Sequence, residues 1–269
     1  MLRGLPARKG RTEDRLTVSW AGQSVELGFQ GEAGDLIAGP WGFQIAMNAE
    51  PLTGVSSWDE VCWHEDEDVA YLELTMRLSQ GCRIERQVVL ARQDRFVLLA
   101  DAVLGRRRAK WDYRGGLSLP KGVKFRAARQ SYEGFLINGR RRALVLPLAL
   151  PEWRDEAAGG ELAAADGALV LHQSAEGRGF FAPLFLDFHP RRMTGPRTWR
   201  QLTVAENLAR VKPDVAVGYR VKVGSAQWLA YRALARRGNR TVLGHNLTTE
   251  TLVARFGRKG EVQTIVEIE

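Results

Sequence analysis

The sequence predicts an all-β protein: a large antiparallel β-sandwich of two packed sheets, supersandwich-like in size, with little helix. Three observations predict it. Apolar and polar residues alternate in many short segments, turn-forming residues separate these segments, and the period of an amphipathic helix is nearly absent. All-β sandwiches often reach this length undivided, so we expect the 269 residues to form a single domain over 1–269.

The alternation assigns strands in chain order. Residues 16–20 and 25–29 flank a short polar link and predict a β-hairpin. Segment 69–78 carries an apolar residue at every second position, so one face of that strand should be buried. The run 96–104 is apolar on both faces, which predicts a central strand covered on both sides. Similar runs predict strands at 43–47, 58–64, 83–91, 144–150, 180–188, 215–223 and 262–268.

Helical signals are weak by comparison. The best helix candidates are the short segment 205–211, which Pro213 would close, and the segment 231–237. No repeat of about 20–50 residues stands out, which argues against a propeller or a solenoid.

Composition places the chain among globular proteins. Hydrophobic residues make up 45% of the sequence and charged residues 26%, a mixture that supports a large core. The two most apolar runs, 96–104 and 143–150, are too short to span a membrane and are interrupted by Asp101 and Pro147. Residues 1–15 lack the apolar segment of a secretory signal. We therefore expect a soluble, cytoplasmic protein without a membrane partner.

Arginine dominates the charge. The formal net charge is +8, and only seven of the 39 basic residues are lysine. Guanidinium groups bind phosphate, sulfate and carboxylate through paired hydrogen bonds, so acidic polysaccharide and nucleic acid are the natural polyanionic partners. The alternative is a compositional excess spread over a solvated surface.

Motifs of the common enzyme classes are missing from the sequence. It contains no nucleophile elbow, Walker loop, dinucleotide fingerprint or metalloprotease helix. The four histidines are far apart in sequence, and Cys62 and Cys82 are too few for a cysteine-based zinc site. We therefore expect no metal and no other cofactor. Whether the two cysteines form a disulfide or remain reduced core residues is left open.

Two charged residues interrupt apolar strand faces. Arg86 is in register with Ile84 and Val88, and Asp101 breaks the apolar face of the next strand. If the two strands pair about their shared turn, Arg86 and Asp101 meet. They would then form a structural ion pair, or line a polar cleft that binds substrate.

Aromatic and loop residues supply the other candidates for substrate binding. Trp111 and Tyr113 alternate on one strand beside a basic run, and such rings either pack in the core or stack on sugars and bases. Loops on a rigid sandwich often carry function, and two loops are rich in polar groups. The candidate residues in these loops are His189, Arg191, Arg192, His245 and Asn246.

Two stretches resemble a known family. RIERQVVLARQDRFVLLADAV at 83–103 resembles a strand pair in the C-terminal β-sandwich domain of heparinase II/III-like proteins, and 227–269 is similar to the end of an uncharacterised bacterial family associated with these lyases. The resemblance implies a carbohydrate-associated sandwich. In those lyases a helical toroid precedes the sandwich and chiefly supplies the acid–base tyrosine and histidine, so no catalytic residue transfers by motif to this sequence.

Three functions follow from these observations. The leading interpretation is an uncharacterised, carbohydrate-associated sandwich, non-catalytic or without an assigned activity, that binds an acidic polysaccharide. The first alternative is a polysaccharide lyase or hydrolase that uses His189 or His245 with a tyrosine such as Tyr113 for acid–base catalysis. The second is a basic nucleic-acid-binding protein, which would need its arginines gathered on one surface and is the less expected. The oligomeric state does not follow from the sequence.

Overall fold

The computed structural model describes residues 3–4, 14–31, 34–257 and 261–269. Strands account for 68% of it and helix for 2%, and every sheet is antiparallel. The expected all-β sandwich with little helix is confirmed. No helix within these described ranges is long and apolar enough to cross a bilayer.

The first twelve strands alternate with short turns. They are β1 (Arg3–Gly4), β2 (Arg15–Ala21), β3 (Ser24–Gly31), β4 (Gly34–Met47), β5 (Glu50–Pro51), β6 (Asp59–Glu65), β7 (Val69–Arg77), β8 (Arg83–Ala91), β9 (Phe96–Ser118), β10 (Lys124–Ala127), β11 (Gly134–Asn138) and β12 (Arg140–Pro147).

The remaining strands are β13 (Gly160–Ala165), β14 (Ala168–Asp187), β15 (Arg197–Leu202), β16 (Val204–Glu206), β17 (Ala209–Arg210), β18 (Ala216–Val223), β19 (Ala226–Ala233), β20 (Arg240–Val242), β21 (His245–Leu247), β22 (Thr251–Phe256) and β23 (Val262–Ile268). Two single-turn 3-10 helices, Ser79–Gly81 and Pro190–Arg192, also belong to the described ranges.

The fold is organised around two long strands, β9 and β14. They pair with each other along nearly their whole length and hold together a 14-stranded sheet. On its other edge β9 pairs first with β8 and then with β4, so the sheet changes partner halfway along β9. The buried residues of β2–β4 consequently share one hydrophobic core with those of β7–β9.

The second layer is the five-stranded sheet β15-β18-β19-β22-β23. Alternate residues of β9 explain how the layers meet: Val97 and Leu99 face the core shared with β2–β4, whereas Leu98 and Ala100 face the core shared with the five-stranded sheet. The first half of β9 is therefore buried on both sides, as its apolar run predicts. A small sheet, β17-β16-β20-β21, packs against the second layer, and the two share a third hydrophobic cluster.

The two predicted helices are wrong. Segment 205–211 contains the hairpin of β16 and β17, in which Asn207 and Leu208 adopt φ of 51° and 64°, a backbone suited to a tight hairpin turn and not to a helix. The start of segment 231–237 continues β19, where pairing with β18 and β22 on both edges overrides local preference.

The two cysteines are both free thiols. Cys62 lies on the edge strand β6, and Cys82 is buried immediately before β8. Burial raises the pKa of each thiol above its ordinary value, which keeps both protonated at neutral pH.

Candidate functional site

A groove of about 370 Å³ opens where β3, β4 and β12 begin or end beside the turn before β9. Its walls carry four arginines, and we call it the arginine groove: Arg95, Arg140, Arg141 and Arg142. Three of them follow the β11–β12 turn, in which Gly139 adopts a φ of 69° and lets the chain reverse tightly before the arginine run.

The floor of the groove is apolar and fixed in place. Leu36, Phe188 and Met193 line it and are at most 6% exposed. The Phe188 ring stacks on Phe29 with the ring centroids 3.8 Å apart. A ligand would therefore meet a rigid apolar base beneath cationic walls.

One of the four arginines is already neutralised. The Nε of Arg95 lies 3.0 Å from Oδ2 of Asp14, and its Nη2 lies 3.2 Å from Oδ1. This two-point contact is typical of a guanidinium–carboxylate pair. Arg95 therefore adds little net charge to the groove.

The other three arginines have no carboxylate partner among the described residues. Arg141 donates from Nη1 to the carbonyl oxygen of Met193 at 3.3 Å, and its guanidinium carbon lies 4.2 Å from the centre of the Phe135 ring. Arg142 donates from Nε to the carbonyl of Asn138 at 3.2 Å. Arg140 is exposed. Three unneutralised positive charges therefore face one groove.

The loop 188–194 forms one side of the groove and contains three of the predicted residues. Arg192 is a structural residue: it forms a two-point contact with the fully buried carboxylate of Asp187, at 2.7 and 2.8 Å, and lies over the ring of Trp228. Arg192, a predicted substrate-binding residue, therefore has its guanidinium committed to Asp187 and to the carbonyl of Asp94. Arg191 is exposed, so it alone of the pair is free to meet a ligand.

His189 is partly buried and adjoins Phe188 and Pro190, which line the groove. Its Nδ1 is buried without a hydrogen-bond partner, and its backbone N–H donates to Asp187 at 2.8 Å. Burial lowers the pKa of His189 below the ordinary value of 6.5, and the guanidinium of Arg192 lowers it further. The imidazole is therefore neutral at pH 7.

Arg86 and Asp101 are neighbours, as the strand pairing predicts. The Nε and Nη2 of Arg86 each lie 2.8 Å from a carboxylate oxygen of Asp101, and Nη1 donates to the carbonyl of Trp41 at 2.6 Å. The Tyr113 hydroxyl donates to Asp101 at 2.7 Å. Arg86 is 1% exposed and Asp101 is 0% exposed, so the structure gives the pair a place in the core and no route to a ligand.

Trp111 and Tyr113 also lie in the core. Each is 2% exposed, and the Trp111 indole donates to the carbonyl of Gly177 at 2.9 Å. Burial, followed by the charge of Asp101, raises the pKa of Tyr113 well above its ordinary value. Because neither ring has a free face, the interpretation that they stack on a sugar is corrected for this folded state.

His245 and Asn246 lie on β21 of the small sheet and do not line the groove. The His245 ring is 6.2 Å from the Phe256 ring, and Asn246 accepts a hydrogen bond from the Thr241 hydroxyl at 3.0 Å. The 188–194 loop lines the groove through Phe188, Pro190, Met193 and Thr194, so the predicted residues His189, Arg191 and Arg192 adjoin the lining without belonging to it, and His245 and Asn246 lie apart from it.

Sequence reasoning missed the run Arg140–Arg142. One signal was present: three consecutive arginines directly follow Asn138 and Gly139, a dipeptide typical of tight hairpins. A run of charged residues at a hairpin end is held in solvent, where a ligand can reach it.

No family model matches the chain, and no curated protein matches it. Three solved structures are similar to it. Heparan sulfate lyase HepC from Pedobacter heparinus is 9% identical, with a TM-score of 0.47 over 82% of this chain and 39% of that chain. A heparinase III gene product is 9% identical, with a TM-score of 0.49 over 87% and 38%. Another heparinase III is 10% identical, with a TM-score of 0.43 over 71% and 29%. The chain thus spans less than two fifths of the length of each of these three proteins.

Proposed function

We propose that the chain binds an acidic polysaccharide in the arginine groove. The observation that carries the proposal is the set of three guanidinium groups, on Arg140, Arg141 and Arg142, that face one groove without a carboxylate partner in the described ranges. Guanidinium groups match the paired oxygens of carboxylate and sulfate, the acidic groups of such polymers.

The shape of the groove suits a sugar chain. The apolar floor around Phe188 and Met193 can contact the C–H faces of a sugar ring while the walls hold its acidic groups. Arg191 is exposed on the adjoining loop and extends the positive surface beyond the groove. A polymer with regularly repeated charges can use both places, whereas a single small anion can use only one.

Binding is tested by titrating the protein with a heparin hexasaccharide, an alginate hexasaccharide, maltohexaose and a short DNA duplex in a calorimeter. We expect the acidic oligosaccharides to bind and the neutral one to bind weakly. Affinity should fall as salt rises, because exposed charges are screened within about 8 Å at physiological ionic strength. Tightest binding of the DNA would favour the nucleic-acid alternative.

Two double variants change the net charge by the same amount, one inside the groove and one outside it. Arg140→Glu with Arg141→Glu reverses the groove, whereas Arg200→Glu with Arg220→Glu reverses two exposed arginines that lie opposite each other on β15 and β18. We expect the groove variant to lose roughly tenfold or more in affinity, since charged hydrogen bonds contribute about 1.5–3 kcal/mol each. An equal loss in both variants would show that only net charge matters and would contradict the proposal.

A polysaccharide lyase or hydrolase is the second candidate function, and His189 favours it. The imidazole is neutral, the residue is only partly buried, and the adjacent Pro190 lines the groove. A neutral histidine beside cationic groups is suited to accept a proton from a sugar ring whose carboxylate those cations hold. Tyr113 cannot serve as its partner, because its hydroxyl is committed to Asp101 in the core.

Catalysis is tested by incubating the protein with heparin or alginate. A lyase would release an unsaturated uronate that absorbs ultraviolet light, a hydrolase would release new reducing ends without that absorbance, and His189→Ala would abolish either. Binding without any product would leave binding as the function of the groove.

A further inference from the structure

We propose that Trp153, which a chain of contacts joins to the arginine groove, is a stacking platform for a neutral face of a sugar ring. This inference rests on the proposed function and adds to it a subsite that recognises sugar by ring contact instead of charge. Trp153 is 46% exposed, and it is the one aromatic among the exposed large hydrophobic residues of the described ranges. A wide, exposed indole face is the feature that a sugar ring can stack on.

The loop that carries Trp153 is held on both sides. Trp153 forms a bridge with Ser131, the N–H of Tyr132 donates to the carbonyl of Glu152 at 3.1 Å, and the N–H of Arg154 donates to the carbonyl of Gln130 at 2.9 Å. The backbone around the indole is thus fixed before any ligand arrives, which reduces the entropy that binding must remove.

Side-chain contacts strengthen this support. The Nε of Arg154 donates to the carbonyl of Ser131 at 2.9 Å, and its guanidinium carbon lies 4.7 Å from the centre of the Tyr132 ring. Tyr132 itself packs against the hydrophobic core. These neighbours of Trp153 are occupied with one another, whereas the indole is exposed together with the side chains of Asp155 and Glu156 further along the loop.

A continuous path of contacts joins Trp153 to the groove. Arg141 and Arg197 both lie over the ring of Phe135, at 4.2 and 4.9 Å from its centre. Thr198, next to Arg197, donates its hydroxyl to the carboxylate of Glu152, which precedes Trp153.

A short stretch of chain connects the two places. Six residues separate Ile137, which pairs with Arg141, from Ser131, which forms a bridge with Trp153, and six residues of extended chain span at most about 22 Å. One oligosaccharide can therefore place an acidic group in the groove and a ring on Trp153.

The first test compares Trp153→Ala with Leu208→Ala, a control that removes the fully exposed leucine on the β16–β17 turn. With the heparin hexasaccharide as ligand in a calorimeter, we expect about a tenfold loss of affinity for Trp153→Ala, the size of an aromatic stacking contact. Trp153→Phe should retain most of the affinity, and Leu208→Ala all of it. The loss should be the same at low and high salt, unlike that of the groove variant.

The second test follows quenching of tryptophan fluorescence by acrylamide. The difference in fluorescence between the native protein and Trp153→Phe is the signal of the Trp153 indole. We expect acrylamide to quench this signal less when the heparin hexasaccharide, or maltohexaose at high concentration, is bound. If the native protein binds the hexasaccharide and Trp153→Ala binds it equally, the platform is refuted and the groove stands.

If no acidic oligosaccharide binds, the proposed function fails, and the platform then stands only if maltohexaose still protects the indole. Concentration-dependent self-association that Trp153→Ala abolishes would assign Trp153 to a protein contact and overturn the inference.

Discussion

Arginine has opposite roles in the core and in the groove. Arg86 is 1% exposed and directs its guanidinium to Asp101 and the Trp41 carbonyl, so its charge is fully compensated inside the protein. Arg140 and Arg141 belong to the same residue type but meet no carboxylate among the described residues. The difference shows that a high arginine content does not by itself create a cationic surface, because part of it is used to build the core.

Arg232 extends the comparison to the interface between the two layers. It is 0% exposed on β19, and its Nη2 lies 2.8 Å from Glu73, 2.5 Å from Glu85 and 2.9 Å from Glu250. Burial alone would lower its pKa, but the carboxylates Glu73 and Glu85 raise it above the ordinary arginine value. Arg232 is therefore a charged link between sheets, whereas the groove arginines are available to a ligand.

The largest expected effect comes from breaking a core arginine pair. Asp101→Ala should lower the free energy of unfolding by about 3–5 kcal/mol, because it leaves the Arg86 charge buried without a partner. Urea denaturation measures the change. The control is Asp112→Ala on the same strand, whose half-exposed carboxylate pairs with His172 and should contribute at most about 1 kcal/mol. A loss below about 1 kcal/mol for Asp101→Ala would show that Arg86 is solvated after all.

A smaller effect is expected at the border between core and groove. Arg192→Ala should cost about 2–3 kcal/mol, because it removes two hydrogen bonds from the fully buried carboxylate of Asp187, which retains the His189 N–H as a donor. Arg191→Ala, an exposed neighbour, should change stability by less than about 0.5 kcal/mol. Equal melting temperatures for the two variants would make Arg192 a surface residue like Arg191.

The smallest effect is the contribution of His189 to the pH dependence of stability. Its folded pKa is lowered below the ordinary 6.5, so the unfolded chain takes up the proton first as the pH falls. The stability that it contributes is complete above about pH 6.5 and is lost as the pH falls below that value. His189→Gln should flatten the decline in unfolding free energy between roughly pH 7 and pH 5. An unchanged slope would place the imidazole in solvent.

The sequence by itself determined the strand pattern and part of the core. Alternation located the hairpin of β2 and β3, the meander from β7 to β9, and the strand that is buried on both faces. The Arg86–Asp101 contact was also predictable, because β8 and β9 share a short turn and their register follows from it. These features depend on residues that are close in sequence, where the period of side chains decides which face is buried.

Only the tertiary structure decided which charges and rings are free. The Arg232–Glu73 pair joins residues 159 positions apart, and the groove gathers β12, the turn before β9 and the 188–194 loop. Trp111 and Trp153 are the same residue type, yet one is 2% and the other 46% exposed. The local sequence pattern carries no information on such distant contacts, because ion pairing and side-chain burial depend on how separate sheets pack. That packing decides whether an arginine meets a carboxylate in the core or remains available to a ligand.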